Sequence, residues 1–122
     1  ELKVKVVEAT DVPKMDTFGK SDPYVLIKLS SSQEQWKTEY KNNTDKPQWN
    51  EEFSIPIHPN LDEILRVEMW DKDVSKDDQI SQVLLQVNKI PAGKADDSWY
   101  TMHPVKKVKK GGKLRLIIEK RA

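Results

Sequence analysis

With 122 residues, 36% hydrophobic and 34% charged, and a net charge of +1, the chain fits one ordinary globular domain with its own core and a densely charged surface. No apolar run approaches the roughly 20 residues that span a bilayer, and no signal-peptide pattern opens the chain. The absence of cysteine excludes disulfides and thiolate metal sites. Leu2, Val4 and Val6 alternate with Lys3 and Lys5, the period of a half-buried strand. YVLIKL (24–29) is β-branched and apolar, and WKTEYKNN (36–43) alternates more weakly. QWNEEFSIPI (48–57) puts Trp49, Phe53, Ile55 and Ile57 on one side, with Glu51 as the misfit. EILRVEMW (63–70), ISQVLLQV (80–87), SWYTM (98–102) and GKLRLIIEK (112–120) complete the set. Gly19, Pro47, Pro59–Asn60, Pro91–Gly93 and Gly111–Gly112 separate them as turns, and the one helical candidate is a turn near Asn88–Ala95. About eight short strands without helical crossovers predict a single all-β domain over 1–122, an antiparallel sandwich.

Charge is unevenly spread. From His103 to Ala122 eight basic residues stand against Glu119 alone, whereas WDKDVSKDD (70–78) packs Asp71, Asp73, Asp77 and Asp78 into eight positions. Segregation of this kind points to an anionic partner on one surface and a cation on another. An EF-hand started at Asp71 would need Gly at its sixth position and Glu at its twelfth. Lys76 and Gln82 stand there instead, with strands on both sides, so that reading fails. A hard cation takes six to eight oxygens, more than one tight loop supplies. A second acidic loop is therefore required, and KMDTFGKSDPYV (14–25) is the candidate: Asp16 and Asp22 lie either side of Gly19, which lets the chain fold back.

LKVKVVEATDVPKMDTFGKSDPYV, TDKPQWNEEF (44–53) and RVEMWDKDVSKDDQI (66–80) resemble the three calcium-loop regions of the C2 domain, the calcium- and lipid-binding module of protein kinase C and synaptotagmin. The resemblance runs from Leu2 to about Ile118 and implies an eight-stranded antiparallel Greek-key sandwich with its loops at one end. The chain opens on the strand leading to loop one and closes on GGKLRLIIEK, which resembles the permuted, phospholipase C-type (type II) topology. Residue by residue, the resemblance implies ligands from Asp16, Asp22 and the Met15 carbonyl in loop one, and from Asp71, Asp73 and the Lys72 carbonyl in loop three. The last aspartate falls on Asp78 counted back from Ile80, or on Asp77 counted forward from Asp71. Tyr24, Lys37 and Trp70 match the phosphoinositide groove of some relatives, but Leu26 and Glu39 occupy two of its lysine positions. Lys46 and Ser81 also depart from the family's usual Asn and Gly.

The function this implies is Ca²⁺-dependent docking on an anionic, phosphatidylserine-like membrane, with two or more ions bound. The chain is expected to be a monomeric module of a longer, cytoplasmic protein recruited to membrane when calcium rises. Phe18, in a polar loop between two ligand candidates, is the expected membrane-touching tip, with Val74 a second. Trp36, Trp49, Trp70 and Trp99 are expected to pack on strands, and His58 and His103 to lie on the surface. The KKVKK run (106–110) reads first as a solvated turn and second as a lipid contact or import signal. Enzyme activity has no support: the two histidines have no evident nucleophile and no glycine loop cradles phosphate. Nor does a nucleic-acid reading, since the basic C-terminal strand carries no recognisable reading element. A calcium-independent protein-interaction module on the same fold is the competing class.

Overall fold

Each alternating stretch folds as a strand with its apolar set turned inward. The computed structural model describes residues 1–15, 19–105 and 107–121. Among these the strands are β1 (Leu2–Thr10), β2 (Pro23–Leu29), β3 (Gln35–Lys37), β4 (Gln48–Ile55), β5 (Ile64–Asp71), β6 (Asp78–Gln86), β7 (Asp96–Thr101), β8 (His103–Pro104) and β9 (Lys113–Lys120). They form a four-stranded sheet, β4-β1-β9-β7, and a five-stranded sheet, β3-β2-β5-β6-β8. Every ladder between them is antiparallel. Leu2, Val4 and Val6 of β1 and Leu114, Leu116 and Ile118 of β9 join Val25 and Ile27 of β2 and Leu65, Val67 and Met69 of β5 in one buried cluster. Burying such side chains contributes about 1.5–3 kcal/mol each, an upper bound, and holds the two sheets together. No helix among the described residues is long and apolar enough to cross a membrane.

Three local departures from the periodicity have physical causes. The predicted strand over 36–43 pairs only as far as Lys37, because buried Thr38 substitutes its side chain for the ladder: Val25 N–H donates to Thr38 Oγ1 at 2.9 Å. The ninth strand, β8, pairs for just two residues, Ser81 with Pro104 and Gln82 with His103. The helical turn shrinks to a single 3₁₀ turn over Val87–Lys89. Of the four tryptophans, Trp49 is buried and Trp36 and Trp70 are half-buried, whereas Trp99, on the sheet-edge strand β7, is 47% exposed. Glu51 stays half-buried and accepts a hydrogen bond from Glu39 N–H at 3.0 Å.

Register decides which loops meet. Pro23 pairs with Asp71, Asp71 with Asp78, and Lys113 with both Thr10 and Thr101. The ends of β1 and β2, of β5 and β6, and of β7 and β9 that these pairs join therefore lie at one end of the sandwich. The segment 38–47 joins them there, through Lys41 N–H to Pro23 O, Thr44 N–H to Ser21 O and Val12 N–H to Asp45 O, at 2.9–3.2 Å.

Candidate metal centre

Asp22 and Asp71 sit on neighbouring strand ends. Asp22 N–H donates to Asp71 Oδ1 at 2.8 Å, and Lys72 N–H returns a bond to Asp22 O at 3.0 Å. Asp71 is 2% exposed. A carboxylate buried to that degree is tolerated only when its oxygens are satisfied. Asp22 is oriented in turn by Asn43, whose N–H donates to Asp22 Oδ1 at 2.6 Å. Asn43 adopts a left-handed backbone (φ 52°), and its own Oδ1 accepts from Lys20 N–H at 2.7 Å. Gly19 has φ 75°, and a Cβ there would lie 3.2 Å from Asn43 Oδ1, so glycine suits both the turn and the close approach. Ser21 Oγ ties the same segment to Pro13 O at 2.7 Å. Asn43 is the residue that sequence reasoning missed; the adjoining Asn-Asn-Thr turn was its only local signal.

The loop 72–77 is organised around Asp77. Asp73 N–H donates to Asp77 Oδ1 at 2.9 Å, and Tyr24 O–H to Asp77 Oδ2 at 2.6 Å. Lys72 Nζ lies 3.8 Å away. The Tyr24 hydroxyl, then the Asp73 N–H, hold the Asp77 carboxyl below the ordinary carboxylate range. Burial, then the bond to Asp77, pushes the Tyr24 hydroxyl up. Asp73 Oδ1 takes a long contact from Ser75 N–H at 3.5 Å. Asp78 is exposed and stands opposite Asp71 in the β5–β6 ladder, where its side chain makes no hydrogen bond or ion pair among the described residues. Between Met69 and Trp70 the register slips by one residue, a bulge that turns Ile80 and Ser81 both inward.

Met15 is half-buried against the core, and Lys72 and Val74 are exposed, Val74 fully. Asp16 and Phe18 lie outside the described residues. Among the described residues no three acidic or histidine side chains stand close enough together to hold an ion. What the fold brings together is narrower: Asp22 with Asp71, Asp73 with Asp77, and Asp78 across from Asp71. Tyr24, Lys37 and Trp70 share the outer face of the five-stranded sheet. There the Lys37 ammonium lies 5.6 Å from the Tyr24 ring centre, but Trp70 Nε1 donates to Glu68 at 3.0 Å and the Tyr24 hydroxyl is committed to Asp77. Buried Glu68, paired with Lys28 at 3.3 Å, sets a carboxylate in the middle of that face. His58 and His103 are exposed.

The C2 domain family model matches residues 1–102. The chain is 31% identical over 115 residues to Synaptotagmin-5 of Arabidopsis thaliana, covering 94% of this chain and 20% of that protein. It is 30% identical over 124 residues to Extended synaptotagmin-2 of Mus musculus, covering 97% of this chain and 14% of that protein. It thus spans a fifth or less of the length of these relatives. Among solved structures, a single C2 domain of a plant Extended Synaptotagmin 1 superposes with a TM-score of 0.87 at 27% identity, covering 97% of this chain and 91% of that one. The calcium-bound tandem C2 domains of Extended-Synaptotagmin 2 give a TM-score of 0.84 at 27% identity, covering 97% and 44%. With the family match reaching over most of the sequence and the fold over nearly all of it, the chain belongs to the C2 domain family.

Proposed function

We propose that this domain docks its parent protein on anionic membrane when Ca²⁺ binds the aspartate-rich loops. The observation that carries the reading is the coupling of Asp22 to Asp71 at the mouth of a loop holding Asp73 and Asp77, with Asp78 at the start of the next strand and fully exposed Val74 in the loop. Membership of a family of membrane-binding modules and the calcium-bound neighbour support it. The donor chemistry fits a hard cation, since the set offers carboxylate and carbonyl oxygens and neither imidazole nor thiolate. The ligands we assign are Asp16, Asp22, Asp71 and Asp73 with the Met15 and Lys72 carbonyls, and Asp78 as the last carboxylate. Asp77, both oxygens engaged by Tyr24 and Asp73, shapes the loop instead.

Without an ion the clustered carboxylates repel anionic lipid. Each bound Ca²⁺ offsets two of them and offers coordination positions to lipid phosphate oxygens, so calcium and lipid strengthen each other's binding. Phe18 and Val74 then add apolar contact that salt does not screen. The module works as a monomer and carries no catalytic machinery of its own. Calorimetry of Ca²⁺ binding, with and without phosphatidylserine vesicles, tests this reading: Asp22→Asn and Asp71→Asn should each weaken binding at least tenfold while the sandwich stays folded. Parent-like calcium binding by both variants would place the site elsewhere. No calcium-induced rise in Tm at millimolar Ca²⁺ would favour the calcium-independent interaction module.

A further inference from the structure

The sheet edges are β4 and β7 in one sheet and β3 and β8 in the other. An unpaired edge invites another chain, and proteins blunt it with short strands, bulges or charge. β3 has three residues and β8 two, and β4 is bent at Asn50, which takes a left-handed backbone (φ 52°). β7 differs: it runs for six residues without a slip in register. One bond shows which of its backbone groups are free. Met102 N–H donates to Gly112 O at 3.0 Å, and bonded and unbonded pairs alternate along an antiparallel ladder. Asp96, Ser98 and Tyr100 therefore bond to β9. Asp97, Trp99 and Thr101 turn their N–H and C=O groups outward, where no described residue meets them. Trp99, 47% exposed, stands at the centre of this edge. Asp96 and Asp97 guard its start, but Arg115 already takes the charge of Asp97. Along the inner side of β7 an open groove of about 550 Å³ separates it from β6 in the other sheet. Ile64, Leu85, Ile90, Pro91 and Tyr100 give it an apolar lining, and Leu84, 50% exposed, forms a lip. Asp96 lines the β7 wall, where its carboxylate meets only the neutral Ser98 hydroxyl, at 2.8 Å; Lys89 lines the opposite wall.

A row of free N–H and C=O groups at strand spacing is matched by another extended backbone. We propose that β7 adds a strand from a partner protein, an extended segment whose alternate side chains are apolar and enter the groove, with a basic residue opposite Asp96. Direct cross-strand neighbours lie close enough for that ion pair, and the outer side chains of the segment pack across Trp99. A second copy of the domain fits poorly. Paired through the same outward groups, its β7 would turn Asp96, Ser98 and Tyr100 toward the groove, setting a carboxylate and a hydroxyl against apolar walls. The surface lies on the flank of the sandwich, and the proposal does not rest on the calcium reading.

The test titrates the ¹⁵N-labelled protein, in chelator, with a synthetic peptide of alternating valine and threonine flanked by lysines, taken to millimolar concentration. Two N-methylated forms are compared. With the valines in the groove, the threonine amides face β7 and the valine amides face away. The valine-methylated peptide should therefore bind, and the threonine-methylated one should not. Binding should shift the Asp97, Trp99 and Thr101 amides and slow their hydrogen exchange, which is fast in the free protein because they are unpaired. Leu84→Gln, at an exposed lip, should keep the fold and weaken peptide binding about fivefold. Equal binding of the two methylated peptides, or no change at these three amides with either, overturns strand addition. A dimer that forms without peptide and protects the same amides, seen by sedimentation, overturns the partner in favour of a second copy. Each of these results leaves the calcium reading standing, because that reading is tested by calorimetry of the Asp22 and Asp71 variants.

Discussion

Substituting asparagine for each of the adjacent aspartates in turn separates a loop-shaping carboxylate from an ion-binding one. Asp77 accepts a 2.6 Å bond from the Tyr24 hydroxyl and a 2.9 Å bond from Asp73 N–H. In Asp77→Asn the amide oxygen keeps the Asp73 N–H bond and the amide NH₂ has to donate to the Tyr24 hydroxyl, so two bonds to a charged acceptor become neutral ones and the second reverses direction. Bonds to a charged acceptor contribute about 1.5–3 kcal/mol when removed. The Asp77 side chain is 23% exposed and its Lys72 partner 48%, so the ion pair adds almost nothing and the lower end of that range applies. The expected loss is about 1–2 kcal/mol, a fall in Tm of about 4–8 °C for a domain of this size. Asp78→Asn has the opposite sign. The Asp78 side chain makes no bond among the described residues and faces Asp71 across the ladder, where like charges destabilise. Its removal should leave Tm unchanged or raise it slightly in chelator. Thermal unfolding with and without Ca²⁺ reads both. The parent and Asp77→Asn should gain Tm on adding calcium, by as much as about 2.7 kcal/mol of linkage at a hundredfold excess over Kd. Asp78→Asn should lose most of that gain. A calcium shift that survives in Asp78→Asn but vanishes in Asp77→Asn would reverse the assignment.

Thr38→Val deletes the oxygen that satisfies Val25 N–H inside the sheet, and should cost about 1–3 kcal/mol, read as a lower urea midpoint at unchanged m-value. Asp97 is held below the ordinary carboxylate range chiefly by its two-pronged hydrogen bond with Arg115, at 2.9 and 2.7 Å. A depressed carboxyl adds stability above its unfolded pKa and loses it as pH falls through the folded value. The small Tm difference between the parent and Asp97→Asn should therefore be constant at neutral pH and close in strong acid. Val74→Gln, an uncharged change at a fully exposed tip, should leave Tm and solution Ca²⁺ affinity unchanged and weaken vesicle binding in Ca²⁺, measured by co-sedimentation.

The strands were legible in the sequence because burial on one face writes a period of two into the residues themselves. Leu2, Val4 and Val6, like Leu114, Leu116 and Ile118, alternate whether or not the partner strand is known. The acidic loops were legible for a similar local reason, since four carboxylates in eight residues mark themselves. Only the tertiary structure could decide what register and side-chain reach control. The early end of β3 follows from Thr38 bonding across to Val25, and the exposure of Trp99 from β7 lying at a sheet edge. The neighbouring aspartates 77 and 78 are equivalent in sequence until Tyr24, 53 residues away, takes one of them and the β5–β6 ladder sets the other against Asp71. Contacts between distant segments leave no periodic trace in the sequence, and in this domain they select the chemistry that its pattern merely allowed.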